Sequence, residues 1–559
     1  MRHFKSSMLA GLIFVLWAAV LAPQAKCGEK ASDGVFNARD YGATGDGRTL
    51  ETPAITRAIQ ACAAAGGGTV LFPAGKYVSG TFELLSHVTL NLESGAVILG
   101  STNLSDYAYK TNYLEYGGSG QSGEGLKTGI IIANKAEDIA ITGPGIINGR
   151  GTYFVDVNSP HTGLQQDFEK KATRQGDDFM SPKLGMANEG PVKPWMNWND
   201  RPGPLLILAN CTNVQVRDVT LRDSHNWTLT IAGGENVSII GIAVQGNVLI
   251  PNNDGINIRA HNARIADCNI VTGDDGIAAG GCENLTVVNC TIVSRSSGIR
   301  FGSGRYCTFQ NLVIRDSNRG IGVYGSAYSV LFSDILIQTR LFNGDWWGMS
   351  EPIHISARTD REIYATPAIK DVRFSNIIAD SESGILIYVA KPGVIQDISF
   401  DNIKLRLKGG VNSPAVGGNF DLRGAGLDNV IVKHDIPALY CQYVDGLQIH
   451  GFELEWADDL PGYFSDGIHC EHVNNLTIDR FIGRQPQKSG SGAAIALQHV
   501  SKVSIKNCEA LEGTGTFLSI DDVKDQRLFV NNDLTKAKNP AEPAQLNFKR
   551  SGNMTSAEP

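Results

Sequence analysis

From about Cys211 onward the chain repeats itself, and that periodicity constrains the fold more than any other feature. The segments NVQVRDVTL, NVSIIGIAV, ARIADCNIV, NLTVVNCTI, CTFQNLVI and VLFSDILI alternate apolar and polar residues around one small or polar turn residue. Aligned on Asp218, Gly241, Asp267, Asn289, Asn311 and Asp334, they step by 23, 26, 22, 22 and 23 residues. Members at Asn376, Asn402, Gly451, Arg480 and Asn507 follow less regularly. A period in the twenties made of short strands marks a solenoid, in which each coil buries its apolar side chains only with its neighbours. The Leu framework and helical half-repeats of a leucine-rich array are missing. The chain is therefore expected to be all-β, a right-handed parallel β-helix (β-solenoid) with equivalent positions stacked at ~4.8 Å. Its 63 glycines and 19% charged residues suit short strands joined by tight turns.

The periodicity also sets out the domains. One catalytic domain is expected over residues 33–535, preceded by a signal peptide at 1–27 and followed by a loosely ordered tail at 536–559. Arg2, His3 and Lys5 precede an apolar run from Met8 to Ala22, too short and wrongly flanked for a membrane span. The expected location is therefore outside the cytoplasm, secreted or periplasmic, with no membrane attachment in the mature form. Thr52 before Pro53 reads as a helix N-cap. Ala54, Ile55, Ala58, Ile59 and Cys62 recur at helical spacing, and Gly66-Gly67-Gly68 ends the run. One such N-terminal helix would cap the open end of the first coil. Insertions at about 151–204, with Trp195 and Trp198, and 343–367 interrupt the repeat. Of 10 cysteines, 9 follow Cys27 without a CxxC or zinc spacing, and small buried core residues are the favoured reading.

A second signal runs along one line of the stack. Asp254-Gly255-Ile256, Asp275-Gly276-Ile277, Ser297-Gly298-Ile299 and Arg319-Gly320-Ile321 recur at steps of 21, 22 and 22 residues, one coil each. The residues before glycine form a row of Asp, Asp, Ser and Arg, with Asp274 adding a third carboxylate. The glycine is expected to supply a turn conformation and the isoleucine to point inward. Carboxylates at ~5 Å repel, so one should hold a proton above its usual pKa. A protonated and an ionised carboxyl together are the tools of glycoside hydrolysis. An Asp/Asn ladder that merely closes turns is the bland alternative. Spacing alone leaves retention and inversion open.

Asn253-Asp254-Gly255-Ile256-Asn257 and Thr272-Gly273-Asp274-Asp275-Gly276-Ile277 resemble the paired signatures of glycoside hydrolase family 28, the polygalacturonases. Tyr41-Gly42-Ala43 with Gly45-Asp46-Gly47, and Arg201-Pro202 before Leu205-Leu206-Ile207, resemble the entry segments of such enzymes. The resemblance covers most of the chain. It implies an inverting hydrolase, with Asp274 as general acid and Asp254 and Asp275 as the pair that activates water. It also implies a pectic or related cell-wall substrate, no cofactor and no metal.

Two motifs depart from that pattern. Arg295-Ser296-Ser297-Gly298 stands where the family carries Gly-His-Gly, and Gly320-Ile321-Gly322-Val323-Tyr324 stands where it carries Arg-x-Lys. Positive charge is rearranged onto Arg300 and Arg319 rather than lost. The substrate-contact candidates are His225, Asn253, Asn257, Arg300, Arg319, Tyr324, Trp346 and Trp347, with Glu351 and His354 ranked below them. Tryptophans on insertions suit sugar stacking and could close one end of a groove to give exo action.

The net charge is −8 and no dense basic run occurs, so nucleic acid is excluded as a partner. A carbohydrate substrate and a monomer are expected. Two other readings stay open. A polysaccharide lyase would use Arg300 or Arg319 as base, with calcium on the aspartates, and give an unsaturated product. A non-catalytic carbohydrate-binding solenoid would survive Asp274→Asn unchanged.

Overall fold

The computed structural model describes residues 34–108, 128–157, 201–342, 347–357, 368–422, 431–433, 436–487, 492–543 and 549–555. The proposed signal peptide, Trp195, Trp198 and Trp346 lie outside them. The chain forms a parallel β-helix. Each strand bonds in parallel to its equivalents one coil before and one coil after. Ile231, Ile258, Ala279 and Phe301 are one such register line, all buried. Inside the stack Phe309, Phe332, Phe374 and Phe400 lie ring on ring at 4.8, 5.0 and 5.2 Å. Period-two alternation sends one residue into this core and the next outward.

The turn column follows the repeat. All eleven residues from Asp218 to Asn507 on which the repeats align have φ between 52° and 68°. Asn, Asp and Gly occupy that left-handed region at least cost. The asparagines also join coils: Asn289 Nδ2 donates to Asp267 at 2.9 Å and Asn311 Nδ2 to Asn289 at 2.7 Å. The nine described cysteines are all buried and free. Cys268, Cys290 and Cys508 each donate a thiol to a backbone carbonyl two residues earlier.

Two expectations about the ends need correction. The helix runs Thr52–Ala64 with its apolar stripe buried, but Thr52 is its first residue rather than its cap. The Thr52 hydroxyl instead accepts the Gly80 amide at 2.9 Å, and Glu51 at the cap position points its carboxylate at the Thr44 and Gly45 amides. The described residues after Lys536 are not loose. Ala537–Glu542, Lys549–Ser551 and Met554–Thr555 pair in parallel with the coil before, because their backbone groups find the ladder of Thr514–Val530 and Asp533–Leu534.

Among the described residues one segment breaks the pattern. Between the strands Ile395–Leu407 and Leu439–Trp456 the chain leaves the stack, and Asn419–Asp421 pairs antiparallel with Ile431–Lys433. We call the described parts of this excursion, residues 408–422 and 431–433, the flap. Among the described residues no helix is long and apolar enough to cross a membrane.

Candidate active site

The glycine corners explain how the carboxylates are presented. Gly255, Gly276, Gly298 and Gly320 are not in the left-handed region, contrary to expectation; close approach is what requires glycine here. A Cβ on Gly276 would meet Ile292 Cγ2 at 2.4 Å and Gly298 O at 2.6 Å, and the other three are equally crowded. With no side chain between them the corners stack directly: Gly255 N bonds Asp275 O at 2.9 Å and Gly276 N bonds Ser297 O at 2.8 Å. The register then places Asp254, Asp275, Ser297 and Arg319 in one column.

Asp254, Asp274 and Asp275 come together as the ladder requires, 5%, 8% and 6% exposed. Their surroundings differ. Asp274 accepts the amides of Asn252 at 3.1 Å and Asp275 at 3.0 Å. Asp275 accepts the Ser296 hydroxyl at 3.0 Å and the Ser297 amide at 3.3 Å, and faces Arg300 Nε at 3.5 Å. Burial, then the charges of Asp274 and Asp275, push the Asp254 carboxyl well above the ordinary range, with Arg300 opposing them. The surroundings of Asp254 thus favour its protonated form.

Asn253 staples the two aspartate corners. Its Oδ1 accepts the Gly273 amide at 2.7 Å, its Nδ2 donates to Asn247 O at 2.8 Å, and its backbone carbonyl accepts the Thr272 hydroxyl. It is fully buried, so it does not face the groove as a sugar contact would. His225 is likewise buried, edge-on to Tyr107 and Phe154 at 6.1 and 5.9 Å. Burial first, then the Arg201 charge, lower its pKa to about 3, leaving a neutral ring.

Arg201 is the residue that motif reading missed. It is 1% exposed and donates Nη1 to the carbonyls of His225 at 2.6 Å and Pro251 at 3.1 Å. Burial lowers its pKa to about 9 while Asp274 and Asp254 pull the other way, so a buried cation backs the carboxylates. An arginine just before the buried strand Leu206–Ala209 was its signal; nothing local tied it to Asp254.

Arg300 lies in the outward column Asn257, Ala278, Arg300, Gly322, His354, and half its side chain is exposed. Burial lowers its pKa, but Asp275 and Asp254 hold it above its ordinary value. Asn257 is half-buried in the same column.

Arg319 differs from its sequence reading as a sugar contact. It is 1% exposed, paired with Glu351 at 3.3 Å and with Asp421 of the flap at 3.1 Å, both 0% exposed. The flap is pinned further by Gly348 N to Asp421 at 2.8 Å and Asp421 N to Glu351 at 3.0 Å. Arg319 also donates to the Tyr324 hydroxyl. The Tyr324 ring folds over Gly322, whose Cβ position would lie 2.4 Å from that hydroxyl, and tilts against buried His354 at 5.3 Å. Trp347 is 42% exposed, with Asn318 Nδ2 holding its carbonyl at 3.1 Å.

Residues 195–337, which span the whole carboxylate column, match the glycosyl hydrolases family 28. The likeness to that family covers the site rather than the whole chain. Residues 35–165 match a second description, rhamnogalacturonase A/epimerase, pectate lyase-like. A probable polygalacturonase of Vitis vinifera is 31% identical over 244 residues, 43% of this chain and 43% of its own length. An exo-poly-alpha-D-galacturonosidase of Dickeya chrysanthemi is 32% identical over 256 residues, 44% of this chain and 41% of its own. Each match thus spans less than half of those relatives. The solved structure of a Yersinia enterocolitica family 28 exopolygalacturonase superposes with a TM-score of 0.54 at 20% identity, covering 80% of this chain and 79% of that one, a likeness of fold.

Proposed function

We propose that this chain is an exported glycoside hydrolase that cleaves a pectic or related cell-wall polysaccharide from a chain end. The observation that carries the reading is the trio of crowded carboxylates, one kept protonated by burial and its neighbours, at the corner of the parallel sheet. Asp274 takes the role of general acid to the leaving oxygen. Asp254 and Asp275 hold the attacking water on the opposite side of the sugar, giving inversion. The resemblance gives the acid's role to Asp274, whereas the free site favours the proton on Asp254. We read the three as one titrating set, with the proton passing to Asp274 once the leaving oxygen is in place.

Arg300 is the candidate reader of a sugar carboxylate, since Arg319 is committed to Glu351 and Asp421. Exo action is supported by the flap, which Asp421 fastens two coils beyond Asp275, where an open groove would continue. One relative, the Dickeya chrysanthemi protein, is named for exo cleavage. The helix Thr52–Ala64 would cap a right-handed stack, and the chain would act as a monomer.

The test is wild type against Asp274→Asn on pectic and neutral glycans, reading new reducing ends together with the ultraviolet absorbance of an unsaturated product. Hydrolysis predicts reducing ends without absorbance from wild type, and a loss of roughly 10²–10⁴-fold in the variant. Absorbance would make the protein a lyase, and equal turnover in both would remove Asp274 from the chemistry.

A further inference from the structure

Beyond the flap, the edge of the sheet that carries the three aspartates forms a small cavity. Trp456, Asp458, Phe464, Arg484, Pro486 and Gln487 line it, and it opens to solvent. Trp456 ends the strand Leu439–Trp456, and Arg484 directly follows the strand Ile468–Gly483. The loop between those strands ends in Asp466-Gly467-Ile468, a copy of the Asp-Gly-Ile corners, and Gly467 N bonds Ala493 O at 3.0 Å just as Gly255 N bonds Asp275 O. Through Ser297, Arg319, Glu351, Ser383 and Pro437, Asp466 is the sixth corner after Asp275. At ~4.8 Å per coil that is roughly 29 Å away. The flap stands between the two places. Asp421 anchors it on the aspartate side, and Gly409 N reaches Asp459 Oδ1 at 3.3 Å on the other.

The cavity wall is built rather than incidental. Trp456 Nε1 donates to the Arg484 carbonyl at 2.7 Å, and Phe464 packs edge-on to the indole at 5.6 Å. Arg484 Nη1 is fixed on Gln485 O at 2.9 Å, and Gln485 Nε2 on Gly513 O at 3.0 Å. Half-buried Arg484 and exposed Asp458 bring opposite formal charges to the same rim. The result is a fixed aromatic ring beside a donor and an acceptor whose formal charges sum to zero.

Those three properties suit a sugar ring. Its C–H face covers an aromatic ring, and its hydroxyls both donate and accept. A purely apolar ligand would strip water from Arg484 and Asp458 without replacing their hydrogen bonds. An anionic ring would meet the Asp458 carboxylate. We infer that this cavity is a second, non-hydrolytic carbohydrate site that takes a neutral pyranose unit. It holds a glycan away from the aspartates while a separate chain end is cut. Binding here needs none of the three aspartates, so its test stands apart from the hydrolysis assay.

Saturation-transfer NMR on the full chain would use methyl galactoside, rhamnose and xylose as neutral probes and galacturonic acid as the anionic one. Wild type should saturate at least one neutral probe. Arg484→Gln and Asp458→Asn should weaken that binding about tenfold, the loss of one hydrogen bond to a charged group. Trp456→Ala should abolish it, and because that change could disturb the fold, the two rim variants carry the decision. Release of reducing ends from a short soluble substrate should be unchanged in Asp458→Asn. Three results would overturn the assignment: no transfer to any neutral probe, transfer that all three variants retain, or preference for galacturonic acid that depends on Arg484.

Discussion

The corners at Asp254 and Asp275 share a column with those at Arg319 and Glu351, and Arg319 lies two coils beyond Asp275. Both places bury charge, yet they resolve it differently. At the first, three carboxylates crowd together, 5–8% exposed, and a proton on Asp254 relieves their repulsion. At the second, two carboxylates enclose one guanidinium, all within 1% of full burial, and each carboxylate is paired to that cation. A cluster paired in this way has its carboxylates committed. A mismatched one keeps a labile proton and ionised oxygens where solvent can still enter, and sites of chemistry tolerate such local conflict. The first is read here as the working site and the second as the fastening that closes the groove beside it.

That contrast can be broken by substitution. Arg319→Met would leave Glu351 and Asp421 buried without a cation, and should cost about 3–5 kcal/mol in urea unfolding. If the loss is below about 1 kcal/mol, the range of exposed pairs, the flap is not held as described. Adding Glu351→Gln and Asp421→Asn to Arg319→Met should recover part of the loss.

Arg300→Gln should raise KM for a uronate substrate roughly tenfold or more, the worth of a charged hydrogen bond. Its effect on stability should stay within about 1 kcal/mol, because half the side chain is in water. An unchanged KM would return the carboxylate-reading role to a residue outside this column.

The smallest effect concerns Asp254→Asn, which should remove activity and yet stabilise the fold at neutral pH by about 0.5–2 kcal/mol. The sign follows from linkage. A carboxyl whose folded pKa is raised binds more protons in the folded state, so wild-type stability falls as pH rises from about 4 through the raised value. The advantage of Asn should therefore vanish on acidification to about pH 3, below the ordinary Asp pKa of about 3.9, where Asp254 is protonated in both states. Thermal unfolding of the two proteins across that range would show it, and a gain independent of pH would mean that Asp254 is ionised in the free site.

Much of this molecule is legible one residue at a time. The left-handed turn at Asp267, Asn289 or Asn311 is a local preference of short polar side chains, and the repeat carries it from coil to coil. The Asp-Gly-Ile corners are local too, although glycine is needed there because the next coil's backbone and an isoleucine press against it, which only stacking reveals. Coil stacking therefore let the sequence determine both the solenoid and the column that brings Asp254, Asp274 and Asp275 together. The fate of each charge was beyond its reach. Arg319 looked like a groove cation until Asp421, 102 residues further along, turned out to cover it. Arg201 looked like part of a strand entry, yet it lies within the field of Asp254 and Asp274. A solenoid writes its neighbours into its period, so contacts between coils can be read from spacing. Excursions such as the flap leave that period, and what they bury is decided only when the chain has folded back upon itself.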